Sequence, residues 1–398
     1  MKVIKLRAGK ERSLHKRHPW VFEGSIAKGS GDAGETVRIE SHEGEFLAWG
    51  ACSPASQIRV RAWSFEQAER IDAAFFARRI ERAIAFRQRL AIDSDAVRLI
   101  HGEADGLPGL IVDRYGDTLC AQFLFAGVER WKPVIADALL AASGCVRLYE
   151  RSDASVRDRE GLGAVSGWLR LPTGDGGATA VAIREHGWQL TLDVAEGHKT
   201  GYYLDQRENR HLFAQWVRRF GCRRVFNGYS YTGGFTVAAL AGGAEQVVSV
   251  DSSAPALVRA TAHVALNDFD AARHEALDAD VNATLRRFTQ EGRRFDAIVL
   301  DPPKFAPSSA HAERAARAYK DINRLALVLL EPGGLLLTFS CSGGVSAELF
   351  HKIVAGAGLD AGADGYLLQR LEAAPDHPTT ITFPEGEYLK GRAIVKAC

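Results

Sequence analysis

The stretch Val225-Phe226-Asn227-Gly228-Tyr229-Ser230-Tyr231-Thr232-Gly233-Gly234-Phe235 decides the fold. A short apolar run ends there in a glycine-containing turn, and a helical pattern follows from Phe235 to Ala241. Further along, the apolar run 246–250 ends in Asp251. Strand, turn, helix, strand and acid are the layout of a nucleotide site on a doubly wound α/β sheet. The glycines let the backbone approach a ligand closely, and Asp251 can accept hydrogen bonds from ribose hydroxyls.

The same stretch limits the kind of nucleotide. Its spacing is not G-x-G-x-x-G, and it contains no phosphate-binding loop. This disfavours NAD and ATP and favours a nucleoside without phosphates, for which S-adenosylmethionine (SAM) is the obvious choice. The alternative at this point is a turn of a parallel sheet that binds no ligand.

Composition bounds the class of protein. A length of 398 residues predicts about two or three domains, and 46% hydrophobic with 25% charged residues is typical of a soluble globular protein. No run approaches the roughly 18 apolar residues of a membrane helix, so we expect no membrane partner. The N-terminus lacks the apolar segment of a signal peptide. Six scattered cysteines without a C-x-x-C pair argue against zinc and disulfides and indicate a reducing cytoplasm.

The basic residues concentrate at the N-terminus. Residues 1–20 contain seven lysines and arginines against Glu11 alone, which suits contact with phosphate. A solvated basic edge is the equal alternative. Within this region Arg17 and Trp20 lie close together, and such a mixture can bind RNA by charge and stacking. For Trp20 alone we favour a place in the core.

The pattern of the chain predicts three regions. Residues 1–72 carry short alternating runs typical of a compact β-barrel. Residues 73–178 form an α+β module that begins with a linker helix, whose arginines we expect on a solvated face, and ends in a glycine-rich loop over 161–178. Residues 179–398 begin with a hairpin and then alternate strands with helices, which predicts a mostly parallel sheet.

A second informative stretch is Phe295-Asp296-Ala297-Ile298-Val299-Leu300-Asp301-Pro302-Pro303-Lys304-Phe305. It predicts a strand whose carboxyl end carries Asp-Pro-Pro at the edge where α/β sheets bind ligands. The proline carbonyls can accept hydrogen bonds from the exocyclic amine of a base. Asp301 can do the same or can lie near the methyl donor. Phe305 could stack on a base taken out of its helix.

A third stretch, Leu335-Leu336-Leu337-Thr338-Phe339-Ser340-Cys341-Ser342-Gly343, delivers a cysteine to the same edge. A thiolate there can act as a nucleophile. Methylation of carbon 5 of a pyrimidine needs one, because thiolate addition at carbon 6 makes carbon 5 enamine-like and able to attack a sulfonium methyl. Most cysteines are buried and inert, and we interpret the other five as structural.

Two further aspartates can each have one of two roles, ligand binding or helix capping. Asp280 follows the third strand and can accept from the adenine amine of SAM or cap the next helix. Asp205 can bind the ligand or cap a helix. It belongs to a polar cluster with Lys199, Tyr203, Gln206 and Arg207.

The chain resembles the ribosomal RNA large subunit methyltransferase I family along nearly its whole length. The resemblance is carried by Gly197-His198-Lys199-Thr200-Gly201-Tyr202-Tyr203-Leu204-Asp205-Gln206-Arg207, Ser230-Tyr231-Thr232-Gly233-Gly234-Phe235, Asp301-Pro302-Pro303-Lys304-Phe305 and Thr338-Phe339-Ser340-Cys341-Ser342-Gly343. Arg17-His18-Pro19-Trp20-Val21-Phe22, Ser53-Pro54-Ala55-Ser56-Gln57-Ile58-Arg59 and Phe383-Pro384-Glu385-Gly386-Glu387-Tyr388-Leu389-Lys390-Gly391 fit as well.

The resemblance implies a PUA RNA-binding domain over 1–72, a central α+β domain over 73–178 and a class I (Rossmann-like) SAM methyltransferase domain over 179–398. It implies SAM-dependent methylation of carbon 5 of one cytosine in 23S rRNA, free or in a precursor of the large ribosomal subunit, with Cys341 as the nucleophile. A homodimer is one assembly that we consider. The resemblance implies that the 227–234 turn and Asp251 bind the methionine and ribose of SAM and that Asp280 binds the adenine. Together with the polar cluster, the predicted cofactor-binding residues are Lys199, Tyr203, Asp205, Arg207, Asn227, Ser230, Tyr231, Thr232, Gly233, Asp251, Asp280 and Asp301. The catalytic candidates are Cys341, Asp301 and Lys304, and the RNA-binding candidates are Arg17, Trp20 and Phe305.

One position departs from a wider pattern. Many RNA cytosine-5 methyltransferases carry a second cysteine directly after Pro-Pro, and this chain has Lys304 there. The sequence therefore does not identify the base that removes the carbon-5 proton.

Two other functions compete with this one. A nucleobase N-methyltransferase would use Asp301-Pro302-Pro303 to hold an exocyclic amine, with Cys341 as a bystander. A non-catalytic RNA-binding ribosome assembly factor would carry the same fold without activity, and the complete set of motifs argues against it.

Overall fold

The computed structural model describes residues 2–197, 199–306 and 312–398. His198, part of the 197–207 motif, lies outside the described residues. The chain divides into two compact units, which are described separately. The first comprises Met1–Gly187, Thr191–Leu204 and Pro375–Gly386, and the second comprises Trp188–Leu190, Asp205–Ala374 and Glu387–Cys398. No helix in the described ranges is both long and apolar enough to cross a membrane.

The first unit begins with a six-stranded sheet, as the alternating runs predict. Its elements are β1 (Val3–Leu6), α1 (Arg12–His15), β2 (Trp20–Phe22), β3 (Ile26–Lys28), β4 (Thr36–Glu40), β5 (Phe46–Cys52) and β6 (Ile58–Ser64). The strand order is β2-β6-β5-β4-β1-β3, with β1 and β4 parallel and the other pairs antiparallel. In β4, Val37 and Ile39 are fully buried between less buried polar neighbours, which is the period of two of a half-buried strand.

The unit continues with a five-stranded sheet covered by helices. Its elements are α2 (Ala73–Arg89), β7 (Ala96–His101), β8 (Leu110–Tyr115), β9 (Thr118–Phe123), α3 (Ala126–Arg130), α4 (Lys132–Ser143), β10 (Arg147–Ser152) and β11 (Val165–Arg170). The strand order is β11-β10-β9-β8-β7. Asp72 caps α2 by accepting a hydrogen bond of 3.0 Å from the Phe75 amide. Trp63 of β6 lies in the same apolar cluster as Phe75 and Phe125, so the two sheets share a core.

Two local predictions for this unit are wrong. The segment 161–178 is not all loop, because β11 pairs antiparallel with β10 and takes in Gly167. The arginines of α2 do not all face solvent, since Arg87 is buried and its guanidinium binds the Asp105 carboxylate through two hydrogen bonds of 2.5 and 2.9 Å. The hairpin expected around His186 is present as β12 (Ala180–Glu185) and β13 (Trp188–Asp193).

The second unit is the doubly wound domain that the opening stretch predicts. Its elements are α5 (Arg207–Phe220), β14 (Arg224–Gly228), α6 (Gly234–Gly242), β15 (Gln246–Asp251), α7 (Ala254–Leu266), β16 (His274–Asp278), α8 (Val281–Gln290), β17 (Phe295–Leu300), α9 (Ala312–Leu329), β18 (Leu330–Ser340), α10 (Ala347–Asp360), β19 (Gly365–Leu371) and β20 (Lys390–Lys396). The strand order is β16-β15-β14-β17-β18-β20-β19. Among the described strands of this sheet, β20 runs antiparallel to its neighbours β18 and β19, and the other neighbouring pairs are parallel.

The apolar strands of this sheet are covered on both faces. In β17, Ile298 and Leu300 pack into one helix-covered cluster, while Ala297 and Val299 pack into the cluster on the other face. A strand buried on both faces is apolar without alternation, which explains the continuous run Ala297-Ile298-Val299-Leu300. From β14 the chain adds β15 and then β16 on one side, and it then crosses back to add β17 on the other side of β14, so the strand order reverses at β14. A crevice therefore opens at the carboxyl ends of these strands, where such sheets bind ligands.

Candidate functional site

The turn between β14 and α6 has an unusual backbone. Tyr229 and Tyr231 have φ angles of 60° and 46°, and Gly233 has a φ of 78°. Left-handed conformations of non-glycine residues cost roughly 1–3 kcal/mol each and concentrate at functional sites. Gly233 is also required by packing, because a Cβ there would lie 2.7 Å from the Cβ of Ala260. The turn is thus held in a strained form directly at the crevice.

Asp251, at the end of β15, fastens this turn. Its carboxylate accepts a hydrogen bond of 2.8 Å from the Tyr231 amide and one of 3.0 Å from the Ser253 amide. The Asp251 side chain remains half-exposed. Each carboxylate oxygen has a second lone pair, so Asp251 can support the turn and still accept hydrogen bonds from a ligand.

Two hydroxyl groups of the turn are buried without a hydrogen-bond partner in the described part of the chain. They are Ser230 Oγ and Thr232 Oγ1. Leaving a buried polar group unpaired costs about 1–3 kcal/mol, so such groups usually await a ligand or water. These hydroxyls fit the polar methionine end of a SAM molecule lying against the turn.

Asn227 is placed beneath the turn. Its side chain is buried and its amide donates a 2.9 Å hydrogen bond to Thr236 Oγ1 at the start of α6, which in turn lies 2.6 Å from Ser249 Oγ. This series of hydrogen bonds connects the neighbouring strands β14 and β15 to helix α6. Asn227 therefore holds the turn in place, and its contact with the cofactor stays a prediction.

Asp280 takes the capping role that was one of its two readings. Its carboxylate accepts a 2.7 Å hydrogen bond from the Ala283 amide at the first turn of α8. The Asp280 side chain is exposed at the end of the loop that connects β16 to α8. Burial raises the pKa of Tyr229, and the negative charge of Asp280 raises it further, so Asp280 lies close to the turn. A role toward adenine remains a prediction.

Asp301 is oriented by a side chain at the start of α5. The Gln206 amide donates a 3.0 Å hydrogen bond to the Asp301 carboxylate. The Asn209 amide fixes which way Gln206 points, because it donates a 2.6 Å bond to the Gln206 side-chain oxygen. Gln206 is also the N-cap residue of α5, so the capping alternative for Asp205 is wrong. The Asp205 carboxylate instead accepts a 2.6 Å bond from the Tyr388 hydroxyl.

Cys341 follows the last residue of β18 and lies at the edge that the strand pattern predicts. Its Sγ is 3.9 Å from the carbonyl oxygen of Pro302, which places it next to the Asp-Pro-Pro segment. Cys341 is half-buried, whereas four of the remaining cysteines are buried and one is exposed. Burial raises the pKa of each of the four, to about 12 for Cys222, and makes them poor nucleophiles. The buried cysteines are Cys52, Cys120, Cys145 and Cys222, and the exposed one is Cys398.

The segment after β17 places two further candidates. Lys304 is exposed. Phe305 is half-buried, with its ring centroid 4.8 Å from that of Tyr319 and 6.5 Å from that of Tyr229. Phe305 thus contributes to the apolar cluster of this face and leaves part of its ring open for stacking.

The other candidates are distributed over both units. In the second unit, Arg207 is buried and its Nε donates a 3.1 Å bond to Glu208. In the first unit, Lys199 Nζ lies 4.4 Å from the ring centroid of Tyr203. Their roles toward the cofactor stay predictions.

The two RNA-binding candidates of the first unit differ in exposure. Arg17 is exposed, has a φ of 59° and lies 3.4 Å from Glu66. Trp20 is half-buried, donates a 2.9 Å bond to Glu103 and packs against Phe383 with ring centroids 4.8 Å apart. The expectation of a core position for Trp20 is therefore met in part.

Three residues of the site escaped a functional assignment from sequence. Asn209, Tyr388 and Lys390 contact Gln206, Asp205 and the Ser342 carbonyl respectively. Tyr388 and Lys390 precede or begin the last strand, far along the chain from their partners. The signal that could have found them is the polar pair at the start of an apolar strand within the 383–391 motif.

Comparison with known proteins assigns a protein family to the C-terminal region and another to the N-terminal region. A profile of S-adenosylmethionine-dependent methyltransferases matches residues 165–383, and a PUA-like domain profile matches residues 4–65. The chain is 47% identical to ribosomal RNA large subunit methyltransferase I of Salmonella enteritidis over 98% of this chain and 96% of that protein. It is 48% identical to the protein of the same name from Cronobacter sakazakii over 98% of both.

Solved structures share the fold. A candidate SAM-dependent methyltransferase from Streptococcus mutans superposes with a TM-score of 0.84 at 21% identity, covering 99% of this chain and 100% of that one. A second candidate methyltransferase, solved in complex with SAH, gives a TM-score of 0.85 at 21% identity with the same coverage.

Proposed function

Because the chain belongs to the ribosomal RNA large subunit methyltransferase I family, we propose that it methylates carbon 5 of one cytosine in 23S rRNA through a covalent adduct with Cys341. Its cofactor is SAM, as the matching methyltransferase profile states. The observation that carries the proposal is the half-buried Cys341, 3.9 Å from the carbonyl of Pro302 at the carboxyl edge of the sheet.

The chemistry needs a nucleophile at that place. Carbon 5 of cytosine is barely nucleophilic. Bond formation between the Cys341 sulfur and carbon 6 pushes the ring electrons toward carbon 5, which can then accept a methyl group. A base then takes the carbon-5 proton, the electrons of that C–H bond re-form the ring double bond, and the thiolate leaves carbon 6, so the enzyme is regenerated. The thiolate is consumed and released within one turnover.

The turn and the strand ends would hold the cofactor. When bound, SAM supplies an electrophilic methyl group. Ser230 and Thr232 would give their unpaired hydroxyls to the methionine end, together with the backbone of Tyr231 and Gly233. Asp251 would accept from the ribose hydroxyls. The remaining contacts are proposed for Lys199, Tyr203, Asp205, Arg207, Asn227, Asp280 and Asp301.

The target base would lie between Asp301 and Cys341. The Asp301 carboxylate, oriented by Gln206, would accept a hydrogen bond from the cytosine exocyclic amine. Lys304 is exposed and would bind a phosphate next to the target. Phe305 would stack on the base with the open part of its ring.

The first unit would supply the RNA contacts away from the reacting base. The residues proposed for these contacts are Arg17 and Trp20, in the region that matches the PUA-like profile. We propose domain limits of 1–72, 73–178 and 179–398 for the PUA, central and methyltransferase domains. The cellular place of this activity would be the cytoplasm.

The decisive experiment traps the adduct. RNA that contains 5-fluorocytosine lacks the removable proton, so the wild-type protein with SAM should form a covalent complex that survives denaturing electrophoresis. Cys341→Ala should form none, while the exposed cysteine variant Cys398→Ala should behave as wild type. Normal methylation by Cys341→Ala would overturn the assignment of the nucleophile.

A second candidate activity uses the same strand end. Asp301 and the carbonyl of Pro302 could hold an exocyclic amine for N-methylation, as an Asp-Pro-Pro segment at a SAM site suits. Mass spectrometry of nucleosides from the methylated RNA separates the two: 5-methylcytidine excludes N-methylation, and an N-methylated nucleoside supports it.

A further inference from the structure

Lys390, the first residue of β20, is a buried cation that contacts the backbone of the residue after Cys341. Only 8% of its surface is exposed, and its Nζ donates a 2.9 Å hydrogen bond to the carbonyl of Ser342, the residue after Cys341. The antiparallel pairing of β18 with β20 sets Lys390 opposite Ser340. The return strand therefore delivers a lysine to the backbone of the proposed nucleophile.

The charge of Lys390 lacks a carboxylate partner in the described part of the chain. Burial lowers the pKa of its ammonium group, Cys341 acts in the opposite direction, and the positive charge of Lys304 lowers the pKa again. An ammonium ion taken out of water needs an anion or further hydrogen bonds to offset its desolvation. Of the two groups in the described ranges that act on its charge, Cys341 is the one that can become an anion.

The other groups around this pair do not replace that anion. Tyr319 of α9 lies 3.0 Å from Ser342 Oγ, and its pKa is raised by burial and also by Cys341, so its hydroxyl stays neutral. Lys304, after β17, is exposed. Asp301, also after β17, accepts the Gln206 amide. Among the described groups around this pair, the buried positive charge that interacts with Cys341 thus comes from Lys390 of β20.

We propose that Lys390 is a positioning residue whose ammonium group stabilises the thiolate of Cys341. The thiol gives its proton to water, the ammonium keeps its own, and a pair of opposite charges forms beside the Ser342 carbonyl. Cys341 is then ionised at a lower pH than an ordinary thiol. The consequence for methylation rests on the proposed function, but the charge pair itself does not.

The test measures the ionisation of Cys341 without RNA. The full-length protein is alkylated with iodoacetamide across a pH series, and mass spectrometry follows the peptide that contains Cys341, with Cys398 as the internal reference. Lys390→Gln keeps a donor for the Ser342 carbonyl and removes the charge. We expect its alkylation midpoint at Cys341 to rise by about one pH unit and its rate at pH 7 to fall roughly tenfold. Lys390→Arg should restore the wild-type profile.

The chain offers a matched control on the same strand. Lys396 is half-buried and its Nζ donates to the carbonyls of Leu327 and Leu330 at 2.9 and 2.7 Å, so Lys396→Gln repeats the change away from Cys341. It should leave the alkylation profile unchanged. Lys390→Met, with SAM binding as the check of folding, provides a second charge-removing variant.

An unchanged alkylation profile in folded Lys390→Gln and Lys390→Met would overturn the inference. A raised midpoint together with an upward shift of the pH profile of methylation supports both the inference and the nucleophile. A raised midpoint with unaltered methylation supports the charge pair and counts against Cys341 as the nucleophile. Failure of the charge-pair inference can therefore be distinguished from failure of the proposed function.

Discussion

The side-chain amide of Gln206 donates a 3.0 Å hydrogen bond to the carboxylate of Asp301, across the junction between the start of α5 and the end of β17. Gln206 cannot turn its oxygen toward Asp301, because that oxygen already accepts from Asn209 at 2.6 Å. Gln206 therefore presents an N–H to Asp301, and the Asp301 carboxylate is the acceptor in this pair.

Gln206→Glu should reduce methylation strongly. The substitution places a second carboxylate against Asp301, and like charges at this distance raise the pKa of one of them. Mutual repulsion raises the pKa of the pair, and where Asp301 takes the shared proton it becomes a poor acceptor for a cytosine amine. We expect single-turnover methylation to fall about tenfold or more at pH 7, in line with the loss of one charged hydrogen bond of roughly 1.5–3 kcal/mol.

Gln215→Glu is the control for this change. Gln215 is exposed on the same helix and hydrogen-bonds only His211 in the described structure, at 2.8 Å. It adds the same charge away from the site and should leave the rate unchanged. Equal rates for Gln206→Glu and wild type would show that Asp301 does not act on the base.

A buried ion pair in the first unit predicts a loss of stability. Arg87→Met removes the guanidinium that binds Asp105 at 2.5 and 2.9 Å and leaves a buried carboxylate without its counter-charge. Breaking such a pair typically costs about 3–5 kcal/mol. Urea unfolding should show a lower midpoint for Arg87→Met, while Arg89→Met, exposed two residues further along α2, should match wild type. Equal midpoints would mean that the pair adds nothing to the free energy of unfolding.

Arg87 also shows where sequence reasoning stopped. The arginines of α2 were expected on a solvated face because their spacing alone does not reveal a carboxylate that comes from the following strand and turn. The same holds for Gln206 with Asp301, and for Lys390 with Ser342: each pair joins distant segments through tertiary packing. Patterns along the chain contain no information on which polar side chains meet in this way.

The sheet and the place of the candidate nucleophile were predictable for a physical reason. Strands buried on both faces, such as β14 and β17, are short and continuously apolar, so the sequence marks their ends. The carboxyl ends of parallel strands share one edge, which brings Asp251, Asp301 and Cys341 to the same crevice from sequence alone. β11 was missed because Gly167 and its glycine-rich surroundings resemble a loop, whereas pairing with β10 supplies the strand's hydrogen bonds.

Asp251→Asn should weaken SAM binding. The Asp251 carboxylate accepts the Tyr231 and Ser253 amides on two oxygens, and an asparagine has only one acceptor oxygen. The variant must lose one of these two hydrogen bonds from backbone amides. A hydrogen bond from a ribose hydroxyl would then be accepted by a neutral group instead of a carboxylate. We expect the Kd for SAM, measured by calorimetry, to rise about tenfold, or roughly 1.4 kcal/mol.

Asp268→Asn provides the comparison for that measurement. Asp268 is exposed and follows the next helix, α7, so the same change there should leave the Kd for SAM unaltered. An unaltered Kd in Asp251→Asn would remove Asp251 from the cofactor site and leave it as a structural acceptor only.

A comparison of Gly233→Ala with Gly243→Ala separates the effect of a steric clash at the turn from the cost of a left-handed backbone alone. Gly233 and Gly243 flank the same helix, α6, and both have left-handed φ angles, of 78° and 104°. An added Cβ at Gly233 meets the Cβ of Ala260 at 2.7 Å, whereas at Gly243 nothing lies within 4 Å. Gly243→Ala should therefore cost only the backbone term, about 1 kcal/mol of stability, with SAM affinity retained. Gly233→Ala should cost more and also displace the turn, which calorimetry would detect as a Kd for SAM raised tenfold or more. Equal SAM affinities in the two variants would show that the cofactor does not depend on the turn between β14 and α6.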